Sequence, residues 1–366
     1  MPDHPPEPPA ADPAEQGAPP SRRALLRAAL LGGGVVGIGG LAGLAAKRLM
    51  GAGQGDPKPK PPLGAEFSYD VSRFQQTDPA LVKFTEEKRF PTGLERPRAL
   101  ALAPDGSICV GGNPGLRRFS ATGEMLGEIP LAQPVYAVAA RPGGGWFVGQ
   151  PGGIRALDAA GTELAWWPQP GEKFLPTSIA VTPAAIYVAD AGGRVVVKLD
   201  PQGKKIAEIG ARDLDRNLRG FVVPSPYFCV RMAPDGLLRI TNPGEHQIEA
   251  FTTDGDLEIA WGKGSFAVEG FCGCCNPVSF EVFPDGSFVT CEKGLPRVKL
   301  YDSHGAFVGL VSGPEAFTDY LKAANAGAPD ALNAGIYAAI DPQGRVIVLD
   351  GVGGTVRIMK RKEAAP

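Results

Sequence analysis

The sequence predicts an all-β fold, a six-bladed β-propeller whose N-terminal strand closes the last blade. Three observations lead there. Glycine (50) and proline (37) are abundant among the 366 residues and are spread along the chain, which suits many short strands and tight turns better than long helices. A strand–turn–strand pattern built on Pro-Asp-Gly or a close variant returns six times from Ala99 onwards. The last copy stops one strand short, and a strand-like segment at residues 81–90 stands unassigned before the first.

The elements follow in chain order. Residues 1–20 are rich in proline, alanine and acidic side chains and are expected to be disordered. Residues 21–48 open with Ser21-Arg22-Arg23-Ala24-Leu25-Leu26-Arg27 and continue into a glycine-rich apolar run. Paired arginines before a mildly apolar segment resemble a twin-arginine export signal, with Leu25 where Phe is more usual and Arg27 where Lys is. The run at 28–46 is also long enough to stay as a membrane anchor. The expected location is therefore the periplasm, reached across the inner membrane, with anchoring and release both open. Residues 49–66, with Lys58-Pro59-Lys60-Pro61-Pro62, read as a semi-rigid tether.

The propeller is expected over residues 67–361. Its first strands and turns are Ala99-Leu-Ala-Leu-Ala-Pro-Asp-Gly106, Ala137-Val-Ala-Ala-Arg-Pro-Gly-Gly144 and Ile179-Ala-Val-Thr-Pro183, then Phe228-Cys-Val-Arg-Met-Ala-Pro-Asp-Gly236, Phe280-Glu-Val-Phe-Pro-Asp-Gly286 and Tyr337-Ala-Ala-Ile-Asp-Pro-Gln-Gly344. Runs of β-branched and aromatic residues suit a pleated surface, and Asp-Gly or Gln-Gly supplies the positive φ of a tight turn. Four-stranded units of about 40 residues are blades, and one blade cannot bury both its faces, so the units must stack around an axis. Insertions fall at 212–226 and at 312–333, where Pro314-Glu-Ala-Phe-Thr-Asp-Tyr-Leu-Lys-Ala predicts a short surface helix. Residues 81–90 should supply the missing outer strand of blade six and hide the open sheet edges.

A net charge of −2 without a basic stripe argues against nucleic acid as a partner. Three histidines, His4, His246 and His304, exclude a multi-histidine metal centre. No Ser-His-Asp order, Walker loop or His-Glu-x-x-His motif is present, so no catalytic residue is assigned.

The chemistry concentrates at Phe271-Cys-Gly-Cys-Cys-Asn-Pro277, which holds three of the six cysteines. This segment enters the innermost strand of blade five and should lie near the axis, on the face opposite the Pro-Asp-Gly turns. The same face should present Asn242, His246, Asp190, Asp350, Asn276, Glu292 and Lys293, together with Asn113 and Gln150. Four states are open to Cys272, Cys274 and Cys275. An oxidising compartment favours a disulfide, formed by any two of them. Cu or Zn could bind the three thiolates, with His246, Glu292 or Cys291 as a fourth ligand. An iron–sulfur cluster and free thiols are the others. Cys109 and Cys229 fall within apolar strands and read as small buried hydrophobes. Asp190 and Asp350 recur at one blade position, where Asx-turns are the ordinary role.

The Pro-Asp-Gly turns, Tyr187-Val-Ala-Asp-Ala-Gly-Gly-Arg-Val195 and Asn242-Pro-Gly-Glu-His-Gln-Ile248 resemble the NHL-repeat family of six-bladed β-propellers, over residues 81 to about 360. The Gly-Cys-Cys-Asn-Pro segment followed by Glu292-Lys293-Gly294 is similar to a bacterial exported subgroup of that family. The resemblance implies a functional face and names no ligand. The whole sequence reads best as a binding or scaffold module with a protein or small molecule on the central face, membrane contact through the N-terminal segment, and a redox or soft-metal role for the cysteines. Related propellers also include lactonase-like metal-dependent hydrolases, which would need Asp190, Asn242, Asp350 and Glu292 to converge on a hard cation.

Overall fold

The computed structural model describes residues 74–363, apart from 170, 172 and 327–333. The expected disordered extension, export signal and tether lie outside the described residues. The described chain forms six four-stranded antiparallel sheets. Blade one spans 95–130, and blades two to five span 137–168, 176–209, 230–261, 279–312. Blade six comprises strands Ile336–Ile340, Val346–Asp350 and Thr355–Arg361, completed by Phe84–Pro91 as the outer strand. That strand runs antiparallel to Thr355–Arg361, with Phe84 opposite Arg361 and Pro91 opposite Thr355. The inner strands of blades one and six adjoin, so the ring closes as expected.

The core is divided rather than central. Six clusters of buried apolar side chains lie one at each interface between neighbouring blades. Leu100, Val110, Leu349 and Ile358 join blades one and six; Tyr187, Val196, Val230 and Ile240 join blades three and four. A sheet with two apolar faces is stable only when both are covered, and the ring covers both for every blade. Cys109 and Cys229 belong to these clusters and are buried.

In each blade the inner strand runs toward the Pro-Asp-Gly turn and the second strand returns. The loops entering the inner strands therefore gather at the opposite end, together with the last residues of the second strands. The 312–333 insertion contains a 3-10 turn at Pro314–Ala316 and a helix at Thr318–Asn325. It is more than a surface ornament: Phe317 and Tyr320 are fully buried in the core between blades five and six.

Candidate functional site

One position repeats around the loop-bearing face. The second strand of each blade ends in Asn113, Gln150, Asp190, Asn242, Glu292 or Asp350. In most blades its side chain pins the backbone of the adjoining loops. Asp190 Oδ1 accepts from the Leu175 and Gly192 amides at 2.8 and 3.0 Å. Asn242 Oδ1 accepts from the Val222 amide at 2.9 Å, and its Nδ2 donates to Glu249 at 2.7 Å. Gln150 Nε2 donates to the Gln133 carbonyl at 2.8 Å. Asp350 Oδ1 accepts from the Val352 and Gly353 amides at 3.1 and 2.9 Å, with Arg357 at 3.6 Å from Oδ2. A buried amide of a loop needs an acceptor, and this residue supplies it.

Glu292 is the same latch in blade five, carrying a larger charge cluster. It is 0% exposed, and its Oε1 accepts from the Cys272 amide at 2.8 Å. Its Oε2 accepts from Arg297 Nε at 2.6 Å and lies 3.1 Å from Lys299 Nζ. Strand alternation turns Glu292 inward onto the next strand, where Arg297 and Lys299 meet it. Lys299 is also fully buried; it donates to the Gly270 carbonyl at 2.6 Å and lies 4.3 Å from the centre of the Phe271 ring. Burial draws the Lys299 pKa down to about 8 against the pull of Glu292. Arg297 Nη2 is buried without a hydrogen-bond partner among the described residues. Two cations thus share one carboxylate.

The three loop cysteines part company. Cys272, 4% exposed, turns toward this cluster, and burial reinforced by the Glu292 charge pushes its thiol up to about 11. Cys274 is exposed and Cys275 is buried, and their sulfurs lie 3.1 Å apart. The contact from Cys275, followed by burial, raises the Cys274 pKa. All six cysteines are free thiols. Among the described residues, no three His, Cys, Asp or Glu side chains gather as metal ligands would. Cys272, Cys274 and Cys275, expected as Cu or Zn ligands, are thus not drawn together as a three-ligand set among the described residues.

Asn276 fixes the loop. Its Nδ2 donates to the Cys272 and Lys293 carbonyls at 2.6 and 2.9 Å, and its Oδ1 accepts from the Lys293 amide at 2.9 Å. The Gly294 amide in turn donates to the Tyr320 hydroxyl at 2.7 Å. Gly273 adopts φ +74, and its carbonyl meets His246 Nε2 from blade four. The Cys-Gly-Cys-Cys-Asn-Pro and Glu-Lys-Gly segments are thus two halves of one hydrogen-bonded unit. Sequence reasoning missed Arg297 and Lys299. Their spacing of two within a strand puts both on one face, which was the available signal.

Beside this unit the axis opens into a cavity of about 480 Å³, whose wall includes Val278 and Ser279 immediately after the cysteine loop. None of the cysteines of that loop is among its described lining residues.

The chain matches no protein-family model and no curated protein. Among solved structures it is similar to a gluconolactonase from Xanthomonas campestris, with a TM-score of 0.54, 15% identity, and coverage of 76% of this chain and 94% of that one. It is also similar to a streptogramin B lyase, with a TM-score of 0.50, 13% identity, and coverage of 78% and 100%. At these identities the likeness is one of fold, a six-bladed propeller.

Proposed function

We propose that the chain is an exported NHL-repeat propeller acting as a binding module. Its working surface is the cysteine-bearing face, and Cys274 and Cys275 form a thiol pair that opens and closes with redox state. The observation carrying this reading is the 3.1 Å separation of one exposed and one buried sulfur on a loop braced by Asn276 and Glu292. Closure forms one S–S bond. Each thiol gives up a proton and an electron, and a small-molecule disulfide accepts both pairs and leaves as two thiols. Export rests on Ser21-Arg22-Arg23 and the apolar run after it, and NHL membership rests on the repeats.

Intact mass, thiol counting and metal analysis of protein purified from the exported fraction test the reading. After treatment with oxidised glutathione and gel filtration, the chain should be two hydrogens lighter, and reductant should reverse this. Cys274→Ser should abolish the change, and Cys272→Ser should keep it. Stoichiometric copper or zinc lost in the Cys274→Ser, Cys275→Ser double variant would replace this reading with a metal site. Six reactive thiols after oxidation would end it. Arg22→Lys with Arg23→Lys should hold the protein in the cytoplasm if the signal works as read. The lactonase-like alternative is supported by the fold alone, because Asp190, Asn242, Asp350 and Glu292 are each engaged with their own loops.

A further inference from the structure

The axial cavity is a second feature of the loop-bearing face, separate from the thiol pair. At about 480 Å³ it has the size of a small-molecule site. Its described wall combines apolar side chains such as Leu100, Val138 and Ile179 with three tyrosines, Tyr136, Tyr227 and Tyr337, and with arginines, and it includes no carboxylate. A wall of that kind gives a cation no carboxylate and offers hydrogen-bond donors to an anion.

Two of the three arginines in it, Arg231 and Arg98, are in different states. Arg231 is already neutralised: Nε donates to Glu281 at 2.7 Å, and Nη1 donates to Ser178 and to the Val230 carbonyl at 2.7 and 2.8 Å. Arg98 has no carboxylate partner among the described residues. Its Nε donates to the Arg96 carbonyl at 3.1 Å, its Nη2 reaches Asn113 at 3.4 Å, and its guanidinium carbon lies 4.6 Å from the Tyr136 ring centre. The stacked ring and these two bonds hold the guanidinium in place, and the remaining N–H groups are left for a ligand. Burial pushes the Tyr227 and Tyr337 phenols up, with the Arg98 charge opposing, so both stay protonated.

We propose that this cavity binds a small organic monocarboxylate, with the carboxylate on Arg98 and an apolar body along the Leu100, Val138 and Ile179 wall. The Arg98 guanidinium, without a carboxylate among the described residues, matches a single negative charge, and its planar fork matches a carboxylate in bidentate fashion. An apolar body gives the acid contacts with the Leu100, Val138 and Ile179 wall that a bare inorganic anion cannot make.

Saturation-transfer NMR on the full chain tests this with benzoate, phenylacetate, 3-phenylpropionate and hexanoate, each beside its primary amide. At least one acid should bind, and its amide should bind at least tenfold more weakly. Arg98→Met should weaken the acid at least tenfold while leaving the amide unchanged, and Arg89→Ala on the exposed outer strand should change neither. If Arg98→Met does not fold, Arg98→Lys decides, because it keeps the charge and loses the fork; the acid should then bind at least threefold more weakly. Acids that bind no better than their amides, or an affinity indifferent to the Arg98 variants, would overturn the proposal. Inorganic phosphate competing as well as the acids would overturn it too.

Discussion

Glu292 is the residue on which the cysteine face turns, because it answers two cations and one loop amide from a fully buried position. Removing one member of a buried charge network leaves the others uncompensated, at a cost of about 3–5 kcal/mol. Glu292→Gln should show a loss of that order in urea denaturation at pH 7. The pH dependence has a definite sign. The Lys299 pKa is about 8, below the ordinary lysine value, so between them the unfolded chain binds more protons and stability rises with pH. Without Glu292 the Lys299 pKa falls further, and the lysine sheds its proton nearer neutrality. The stability gap between Glu292→Gln and the parent should therefore be widest at pH 7 and should narrow by pH 9. A gap constant across that range would mean that Lys299 does not titrate in this cluster. Cys272 works in the opposite direction. Its thiol is pushed up to about 11, so the stability tied to it is complete below the unfolded thiol value and is lost as pH rises toward 11. The parent should therefore weaken more steeply than Cys272→Ser between pH 9 and 11.

At the scale of the element, the ends of the cysteine loop are held by backbone bonds, Phe271 to Lys263 and Val278 to Cys291, and its middle is held by side chains. Asn276 carries three of the side-chain bonds and is 2% exposed. Asn276→Ala should cost about 2–3 kcal/mol, since it leaves backbone groups without partners. It should also speed iodoacetamide labelling of Cys272 and Cys275, with Cys109 and Cys291 protected in their strands. Equal protection of all four would mean that the loop is held by something else. The spacing of this unit was legible as a motif, because Cys272 through Asn276 and Glu292-Lys293-Gly294 stand out as a pair. The direction of Glu292 was not. It follows from the shared position of Asn113, Gln150, Asp190, Asn242, Glu292 and Asp350 at the ends of equivalent strands, where the side chain meets the loops. The Asx-turn reading of Asp190 and Asp350 rested on that recurrence, and the same logic extended to Glu292 would have turned it inward. The axial arginines stayed hidden for another reason. Arg98 and Arg231 sit in or beside apolar inner strands, and only the closing of the ring makes one wall of residues 133 positions apart.

For the whole molecule, the repeat period and the turn chemistry carried the fold, and the decisive inference was that the two ends of the propeller share a blade. Strand Phe84–Pro91 pairs along Thr355–Arg361, and its contacts extend beyond the ladder. The Lys83 amide donates to the Leu310 carbonyl at 2.8 Å, which ties the segment to blade five. The Thr92 amide donates to the Gly354 carbonyl at 2.8 Å at the other end. Phe84 is buried between blades five and six and Phe90 between blades six and one, so one strand seals both interfaces of the last blade. Losing two buried phenylalanines costs about 6–10 kcal/mol together, and in a domain of this size each kcal/mol moves the melting temperature by about 2 °C. Deletion of residues 78–92 should therefore lower the melting temperature by about 10–20 °C in scanning calorimetry. It should also expose the Thr355–Arg361 edge to association, seen as higher mass in light scattering. A synthetic peptide of residues 78–92 should restore part of the loss by occupying the vacant edge. A truncated chain that melts with the parent and stays monomeric would show that the ring is held shut by the interblade cores alone.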